Sequence, residues 1–480
     1  MKRRPYELHL DHEIGSLQKI YICFSVLIVY EAESVLSRIR IRNFRCLRDV
    51  SLDLAPLTFI VGPNGSGKSS VLLGIQLLKQ SIGRRVAFNG EFVELGSFQD
   101  VLYSGQTSDT PLEEGHSSIT LEVAVKPSKS ELDIITQLLD PIFREKPSKI
   151  EELGYEVSFD EEQIQQSYLV NDQKIFTFGF FKIGPGSFQS RIRFPQRLEN
   201  VGCSGSESIL NPDSISIAHA PNADIPPGQV NKFQSLIRRI SRIIERNIES
   251  TYYISVLRQP RITRTSGGYF PTWVGRNGEH TVGLLALIFG SREYEHAKNR
   301  IFEWASVFGL EDLKAGWRGR EELSADFRDP NTHSTLKVTA AGYGSIQILP
   351  IITQLFWSSQ GSTISFEEPE MSLHLELIGK LPKMLSEVVN EDKQLIITTH
   401  EQNILFALKA IISKKELPYE KVAVYELKGA KHGSEAKRLE VTPEGIVKGG
   451  ISSFIEAQRN LMYEWTLTIP SAGDEKHSEA

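Results

Sequence analysis

The stretch GPNGSGKSS, residues 62 to 70, constrains the fold of this chain more than any other. Gly62, four further residues, and then Gly67, Lys68 and Ser69 give the spacing of a phosphate-binding Walker A loop. The letters LTFIVG before the loop are typical of a buried strand, and SSVLLGIQLLKQ after it is typical of a helix. This is the strand, loop and helix setting that the motif requires, and it disfavours the alternative of a flexible turn rich in Gly and Ser.

Each part of the loop has a chemical task. Its glycines let successive backbone N–H groups converge on a β-phosphate, Lys68 neutralises the β- and γ-phosphate oxygens, and the Ser69 hydroxyl can ligate Mg²⁺. The predicted nucleotide-binding residues are Gly62, Pro63, Asn64, Gly65, Ser66, Gly67, Lys68, Ser69 and Ser70. A phosphate site alone does not separate kinases, GTPases and ATPases.

The stretch STISFEEPEMSLHL supplies the second part of a nucleotide site. Residues 363–366 are typical of a short buried strand, which ends in Glu367 and Glu368. Adjacent carboxylates at a strand end are costly unless a cation neutralises them, and Mg²⁺ with ATP would do so. We expect Glu367 to hold Mg²⁺ through water and Glu368 to act as general base for an attacking water. The alternative is a polar turn at the strand end, which Pro369 alone would suggest.

A third apolar strand, in KQLIITTHEQNIL, ends at His400 before a helix. At the end of a strand that follows the Glu367 unit, a hydrogen bond from His400 to the γ-phosphate is geometrically natural, which makes it a candidate catalytic residue. The alternative is a packed or solvated histidine.

Composition narrows the functional classes. A chain of 480 residues is expected to form two or three lobes with ample core. Its net charge is 54 − 60 = −6, so nucleic-acid binding, if present, must be local. The three cysteines are Cys23, Cys46 and Cys203, and they make no C-x-x-C pair. This argues for a reducing, cytoplasmic compartment and against a zinc site or a disulfide framework.

The N-terminal run IYICFSVLIVY, residues 20–30, is too short to span a bilayer. Acidic residues ahead of it also disfavour a signal peptide, so we expect no membrane association. Residues 1–34 are interpreted as an accessory segment or as an over-long reading of the gene, with an extra strand as the alternative.

One segment is locally basic. Between Lys232 and Arg264, eight Lys or Arg stand against two acids, Glu245 and Glu249. The helix predicted in VNKFQSLIRRISRIIERNIES carries five of the eight, mostly opposite an Ile-rich face. Double-stranded DNA is therefore a candidate partner. The alternative is a solvated helix face, with Arg258 and Arg261 making nucleotide or structural contacts.

The order of these motifs resembles the ABC-type ATPase class of RecF, SMC, Rad50 and OLD proteins, and most of all its compact AAA-family ATPases. Other segments that carry the resemblance are LGSFQDVLYSGQ, YYISVLRQPR, VGRNGEHTVGLL, AGYGSIQILPII and VAVYELK…VTPEGIVKGGISSF. The similarity covers about residues 35–460. It implies an α/β fold, a P-loop NTPase ABC-type head of mixed and parallel sheets flanked by helices, with an inserted α+β lobe.

The domain organisation follows from the resemblance. The expected parts are an accessory segment at 1–34, the N-terminal part of the head at 35–130, an inserted α+β lobe at 131–330, the C-terminal part of the head at 331–460 and a tail at 461–480.

The resemblance also assigns roles. Gln99 becomes the Q-loop residue, touching Mg²⁺ or the attacking water, and Glu370 and Met371 fall in the D-loop. The signature loop, which in the family caps the ATP of the opposite subunit, comprises Gly342, Tyr343, Gly344 and Ser345. This signature is not the LSGGQ of transporters, and Glu367 replaces the more usual aspartate. A homodimer joined through ATP is implied.

Several class members are disfavoured. SMC and Rad50 proteins need long coiled coils, and Rad50 a C-x-x-C hook, and neither is present in the sequence. OLD nucleases append a domain with an Asp-x-Asp motif, whereas the 80 residues after His400 contain one aspartate, Asp474. We therefore expect an ATP-hydrolysing switch without a nuclease domain, acting in DNA repair or anti-phage defence. The alternative is an ATP-bound scaffold that docks an effector protein, and a small-molecule kinase is disfavoured.

Overall fold

The computed structural model describes residues 35–103, 118–139, 149–184, 187–193, 202–204, 208–211, 216–218, 227–261, 263–264, 271–319 and 322–468. The contacts of the chain divide it into two units, Met1–Glu31 and Ala32–Ala480, and every described residue belongs to the second. The interpretation of residues 1–34 as an accessory segment lies outside the described residues, as does the end of the expected tail. No helix in the described ranges is long and apolar enough to cross a membrane.

The strands in these ranges are β1 (Val35–Phe44), β2 (Leu47–Asp53), β3 (Leu57–Val61), β4 (Ile119–Lys126), β5 (Leu153–Phe159), β6 (Gln163–Val170), β7 (Gln173–Gly184), β8 (Ser187–Arg193), β9 (Gly202–Ser204), β10 (Ser216–Ala218), β11 (Thr251–Ile254), β12 (Thr263–Arg264), β13 (Glu311–Arg318), β14 (Glu322–Arg328), β15 (Thr335–Lys337), β16 (Thr363–Glu367), β17 (Gln394–Thr399), β18 (Val422–Ala430) and β19 (Gly433–Leu439).

The helices are α1 (Lys68–Ser81), α2 (Phe98–Val101), α3 (Lys129–Leu139), α4 (Pro227–Glu249), α5 (Thr281–Gly290), α6 (Glu295–Val307), α7 (Tyr343–Trp357), α8 (Leu375–Ile378), α9 (Leu381–Asn390), α10 (Gln402–Ser413) and α11 (Ser452–Thr468).

A six-stranded sheet positions the candidate site. Its order is β11-β16-β17-β3-β18-β19, and only β19 runs antiparallel to its neighbour. All residues of β3, β16 and β17 are buried, as expected for parallel strands that are covered on both faces. In register, Val61 pairs with Thr399, and Glu367 pairs with Thr398. The carboxyl ends of three adjacent strands therefore meet at one edge, where ligands bind in open α/β sheets.

A second, seven-stranded antiparallel sheet has the order β2-β1-β4-β5-β6-β7-β8. In β1, Ile39 and Ile41 are buried, while Arg38 and Arg40 face partly to solvent. Arg40 forms an ion pair with Asp49 of β2 at 2.7 Å. The sequence-based prediction of a half-buried strand with one charged face is confirmed. The Ile-rich face of α4 is buried in the core that this sheet shares with α1.

The residues of the expected inserted lobe, 131–330, contribute to both sheets. Strands β5 to β8 extend the sheet that β1 begins, whereas β11 is an edge strand of the parallel sheet. Helices α5 and α6 and strands β13 and β14 pack in one hydrophobic core with α7 and β16. Contacts do not separate the range 131–330 from the head as a unit of its own. The division into head and lobe stays a prediction.

Candidate nucleotide site

The Walker A loop joins β3 to α1 as the sequence predicts. Gly67 has φ 97°, a left-handed conformation that favours glycine, and caps the N-terminus of α1. At Gly62 the loop passes so close to Leu427 of β18 that a Cβ atom would lie 2.1 Å from the Leu427 carbonyl oxygen. Two of the motif's glycines are thus required by the backbone path itself. The first N–H groups of a helix have no partner within the helix and favour an anion there.

Lys68 is held within this loop. Its Nζ donates hydrogen bonds to the carbonyl oxygens of Gly62, at 2.8 Å, and Pro63, at 2.9 Å. Burial lowers the pKa of Lys68, and the carboxylates of Glu368, Glu367 and Glu370 oppose that shift. Lys68 is therefore a nearly buried cation that faces three acids, and an anionic phosphate is a natural additional partner.

Glu367 receives a hydrogen bond on each carboxylate oxygen. Ser69 Oγ donates to Oε2 at 2.7 Å, and the Tyr253 hydroxyl donates to Oε1 at 2.6 Å. Burial, followed by the negative charge of Glu367, raises the pKa of Tyr253 well above its ordinary value. The structure thus brings together two of the three residues predicted to contact the metal, Ser69 and Glu367, and adds Tyr253, which sequence reasoning missed.

These residues fit Mg²⁺ bound together with a nucleotide. Mg²⁺ prefers oxygen ligands, keeps several waters and is usually bound by one or two protein groups plus substrate phosphates. Ser69 and Glu367 supply such oxygens, and Ser66 Oγ in the same loop is buried without a hydrogen-bond partner among the described residues. Within those residues, no group of three or more His, Cys, Asp or Glu could hold a metal by itself.

Glu368 adopts an unusual backbone conformation. Its φ is 43°, in the left-handed region, which costs energy for a residue other than glycine. Its N–H donates to the Thr398 carbonyl oxygen at 2.8 Å. Its Oε1 lies 3.1 Å from Nδ1 of His400, whose side chain is half exposed. The structure therefore places the predicted base and the predicted histidine side by side at the ends of β16 and β17.

Arg258, which follows β11, is the second site residue that sequence reasoning left without a specific role. It is fully buried, and its guanidinium donates to the carbonyl oxygens of Glu367, at 2.7 Å, and Glu368, at 3.0 Å. The sequence signals were its place among the eight basic residues between Lys232 and Arg264 and in the segment YYISVLRQPR, whose resemblance to the family suggests nucleotide or structural contacts for Arg258.

The predicted signature loop forms the N-terminus of α7, with Gly342 as the cap residue. Tyr343 is half exposed, and Ser345 Oγ donates to the Phe308 carbonyl oxygen at 2.9 Å. A Cβ atom at Gly344 would lie 2.5 Å from the Ser372 carbonyl oxygen, so this loop packs directly on the D-loop segment of the same chain. Among the described residues, no hydrogen bond joins the signature loop to the Walker A loop of its own chain.

In the D-loop, Glu370 is buried and accepts a hydrogen bond from Thr399 Oγ1 at 2.5 Å. Burial raises the pKa of Glu370. Gln99 lies on α2, and its amide donates to Glu161 at 2.9 Å, in the turn between β5 and β6. No hydrogen bond between Gln99 and the Walker residues is found in the described ranges, and its Q-loop role stays a prediction.

A family model described as AAA ATPase domain matches residues 35–255 and 229–405. The chain belongs to this AAA ATPase family. Together with the two sheets, this match confirms the predicted membership of the ABC-type RecF, SMC and OLD class and the predicted α/β head fold.

Part of this chain is also similar to the OLD nuclease of Thermus scotoductus (strain ATCC 700910 / SA-01), with 54% identity over 44 residues. That match covers 9% of this chain and 8% of the nuclease, so the chain spans less than a tenth of that relative's length.

Two solved structures of SMC heads are similar to this chain at low identity. The SMC head domain from Thermotoga maritima is 13% identical, with 85% of this chain and 100% of that chain covered and a TM-score of 0.39. The SmcHead bound to the C-winged helix domain of ScpA is 10% identical, with 85% and 98% covered and a TM-score of 0.47.

Proposed function

We propose that this AAA ATPase binds ATP with Mg²⁺ in the Walker A loop and hydrolyses it to ADP and phosphate. The observation that carries the proposal is the meeting of three predicted elements at one sheet edge. Lys68 lies in its loop, Ser69 donates to Glu367 at 2.7 Å, and Glu368 lies 3.1 Å from His400.

In this proposal the loop binds the phosphates before any chemistry occurs. The N–H groups at the start of α1 bind phosphate oxygens, and Lys68 exchanges its bonds to the Gly62 and Pro63 carbonyl oxygens for bonds to phosphate. Ser69 and Glu367 would hold Mg²⁺, which when bound neutralises charge that develops on the phosphates. Tyr253 keeps the Glu367 carboxylate oriented toward Ser69.

Glu368 then acts as general base. A water attacks the γ-phosphorus and its proton passes to the Glu368 carboxylate while the bond from the γ-phosphorus to the ADP oxygen breaks. Because the φ of Glu368 is left-handed, its side chain does not follow the two-residue alternation of β16. The side chains of Glu367 and Glu368 therefore need not point to opposite faces of the sheet. In this proposal His400 donates a hydrogen bond to the γ-phosphate, which its half-exposed position beside Glu368 supports.

The proposed working form is a homodimer that binds two ATP molecules. The signature loop is bonded to its own chain through Phe308 and Ser372 contacts, yet it presents a half-exposed Tyr343 and the N-terminus of the 15-residue helix α7. A helix N-terminus favours anions, which suits the γ-phosphate held by a second copy. Hydrolysis would remove the shared ligand and release the two chains.

The direct test compares Glu368→Gln with Lys68→Ala. Glu368→Gln should retain ATP binding, lower turnover by roughly 10² or more and accumulate an ATP-bound dimer. Lys68→Ala should weaken ATP binding itself. The matched control is Glu420→Gln, an exposed carboxylate outside the motifs, which should behave as wild type. Hydrolysis at an undiminished rate in Glu368→Gln would refute the assignment of the base.

The second candidate is a scaffold that binds ATP stably and docks an effector protein. The observation that favours it is the strained Glu368, because a backbone held in this conformation also suits a site that senses ATP without rapid turnover. ATP-dependent dimerisation with no phosphate release, in the presence or absence of double-stranded DNA, would support this scaffold.

DNA repair or anti-phage defence is the proposed setting, with double-stranded DNA as a candidate ligand of α4. Lys232, Arg238 and Arg242 are exposed on this helix, whereas Arg246 forms an ion pair with Glu131 at 2.8 Å. The basic surface is therefore smaller than the sequence suggested.

The DNA proposal has its own test. Arg238→Glu with Arg242→Glu should lower affinity for all DNA sequences alike and flatten the dependence of binding on salt, with ATP binding retained. Lys409→Glu, on α10, with Lys414→Glu, at the residue that caps the C-terminus of α10, changes the net charge by the same amount and is the control. Equal DNA binding by the Arg238/Arg242 variant and wild type at one ionic strength would favour the effector scaffold.

A further inference from the structure

Arg258 makes an unusual set of contacts for a buried arginine. It is 0% exposed, and every hydrogen bond from its guanidinium goes to a backbone carbonyl oxygen. Nε donates to Gln347 at 2.7 Å, Nη1 donates to Ser255 at 2.9 Å and Glu367 at 2.7 Å, and Nη2 donates to Glu368 at 3.0 Å. The Arg258 side chain thus links the end of β11 and the first half of α7 to Glu367, the proposed metal ligand, and Glu368, the proposed base.

The connection to α7 is doubled through Gln347. The backbone N–H of Arg258 donates to Gln347 Oε1 at 3.0 Å, and Gln347 Nε2 donates to the Arg258 carbonyl oxygen at 2.8 Å. Gln347 is fully buried and lies two residues after Ser345, in the same helix that the signature loop begins. Any displacement of the start of α7 must therefore strain or break bonds to Arg258.

Three neighbouring carboxylates favour the charged form of the Arg258 side chain. Burial lowers the pKa of Arg258 to about 10, although Glu370, Glu367 and Glu368 favour its charged form. It is a cation at neutral pH, placed beside the acidic cluster of the site. The planar fork of an arginine can serve carbonyl oxygens in several directions at once, which a lysine ammonium on a flexible stem cannot reproduce.

We propose that Arg258 is a positioning residue that couples the signature helix to the general base. It holds the carbonyl groups of Glu367 and Glu368, and so keeps Glu368 in its left-handed conformation, only while α7 is docked through Gln347. Docking of a partner on the signature end of α7 would then be transmitted to the base in the same chain. The inference rests on the proposed ATPase function and adds a residue that acts through Glu368 without touching the nucleotide.

The test measures kcat and KM for ATP, the Kd for ATP and the melting temperature of Arg258→Met and Arg258→Lys. We expect kcat of Arg258→Met to fall by about 10² with KM and Kd within about threefold of wild type, because only the geometry of the base is lost. Arg258→Lys keeps the positive charge but not the planar fork of the guanidinium. Its kcat should therefore lie between those of wild type and Arg258→Met.

The matched control is Lys393→Met. Lys393 is also a buried cation, and its Nζ donates to the Leu355 carbonyl oxygen at 2.9 Å, near the other end of α7. It does not contact Glu367 or Glu368. Lys393→Met should lower the melting temperature but leave kcat near wild type below its transition, which separates loss of a buried cation from loss of positioning.

A double-mutant cycle with Glu368→Gln decides how Arg258 acts. If Arg258 works through the base, Arg258→Met should reduce kcat no further in the Glu368→Gln background. A multiplicative loss, or wild-type kcat in a well-folded Arg258→Met protein, would overturn the inference. Should Arg258→Met not fold, wild-type kcat in both Arg258→Lys and Gln347→Leu would overturn it equally.

The two proposals fail in distinguishable ways. If wild-type protein does not release phosphate, or if Glu368→Gln turns over normally, the proposed hydrolysis fails and the role of Arg258 fails with it. If Glu368→Gln is inactive while Arg258→Met is as active as wild type, only the inference about Arg258 is wrong.

Discussion

The nucleotide half of the site and its signature half differ in how completely one chain builds them. In the nucleotide half, Ser69, Tyr253 and Glu367 are joined by bonds of 2.6 and 2.7 Å, and β3 and β16 are wholly buried. In the signature half, Tyr343 is half exposed and the loop is bonded only to its own chain in the described ranges. The Walker A side of the site is thus linked by hydrogen bonds within one chain, whereas in those ranges the signature loop makes no hydrogen bond to that chain's Walker A loop.

The proposed homodimer would account for this difference, with each chain lending its signature half to the other's nucleotide half. Arg258 is informative in this comparison because its guanidinium links α7 to Glu368 within a single chain. Variants that damage one half at a time test whether each site is shared between two chains.

The largest effect is expected when the two halves are damaged on different chains. Lys68→Ala damages the nucleotide half, and Ser345→Glu damages the signature half by placing a carboxylate where a phosphate should bind. An acidic residue in the first turn of α7 is compatible with the helix dipole, so folding should be retained. Each variant alone should lose turnover by roughly 10² or more, because each dimer then has two defective composite sites.

Mixing the two variants in equal amounts should restore about a quarter of wild-type phosphate release, since half of the dimers are mixed and each mixed dimer has one intact site. The control mixes Lys68→Ala with Glu368→Gln, which both damage the nucleotide half and should restore nothing. No recovery with Ser345→Glu, or equal recovery in both mixtures, would argue against sites shared between chains.

A smaller effect is expected from Tyr253→Phe, which removes one of the two hydrogen bonds that orient Glu367. Groups that orient a metal ligand typically affect metal affinity by 10–100-fold, so the Mg²⁺ concentration for half-maximal turnover should rise about tenfold. ATP binding without Mg²⁺ should be unchanged.

Tyr252→Phe is the matched control for that variant. Tyr252 is the preceding residue of β11, and its ring lies 4.9 Å from Lys79 Nζ, on the opposite side of the strand from Glu367. Unchanged Mg²⁺ dependence in Tyr253→Phe, measured as phosphate release against Mg²⁺ concentration, would show that Ser69 alone orients Glu367.

The parts of the site that the sequence could predict are those whose residues lie close together in the chain. The Walker A loop and the Glu367–Glu368 pair were each predictable because each motif is local. In each one, the strand and the functional residues that follow it lie within about a dozen positions of the sequence. Tyr253 and Arg258 were not, because they reach Glu367 across 114 and 109 residues of chain. Nothing in the four-residue strand β11 shows that it pairs with β16.

Conformation was equally inaccessible from the sequence. The left-handed φ of Glu368 depends on bonds from Arg258 and to Thr398, which are long-range contacts. The charged face of β1 was predictable because alternation of Ile and Arg has a two-residue period. The contribution of residues 131–330 to both sheets was not, because strand order is set by packing partners and not by composition.

The smallest expected effect concerns Glu370, which lies in the D-loop between the two halves. Burial raises its pKa in the folded chain, whereas the unfolded chain has the ordinary value. Between these two values the folded protein binds more protons than the unfolded one, so its free energy of unfolding falls as the pH rises through that window. Glu370→Gln keeps an acceptor for Thr399 Oγ1 and removes the titration, and should therefore flatten this decline.

Denaturant unfolding at a series of pH values from the ordinary carboxyl pKa upward measures this slope directly. Glu376→Gln, an exposed carboxylate on the adjacent helix α8, is the control and should preserve the wild-type slope. A wild-type slope in Glu370→Gln would mean that the buried D-loop carboxylate stays ionised throughout.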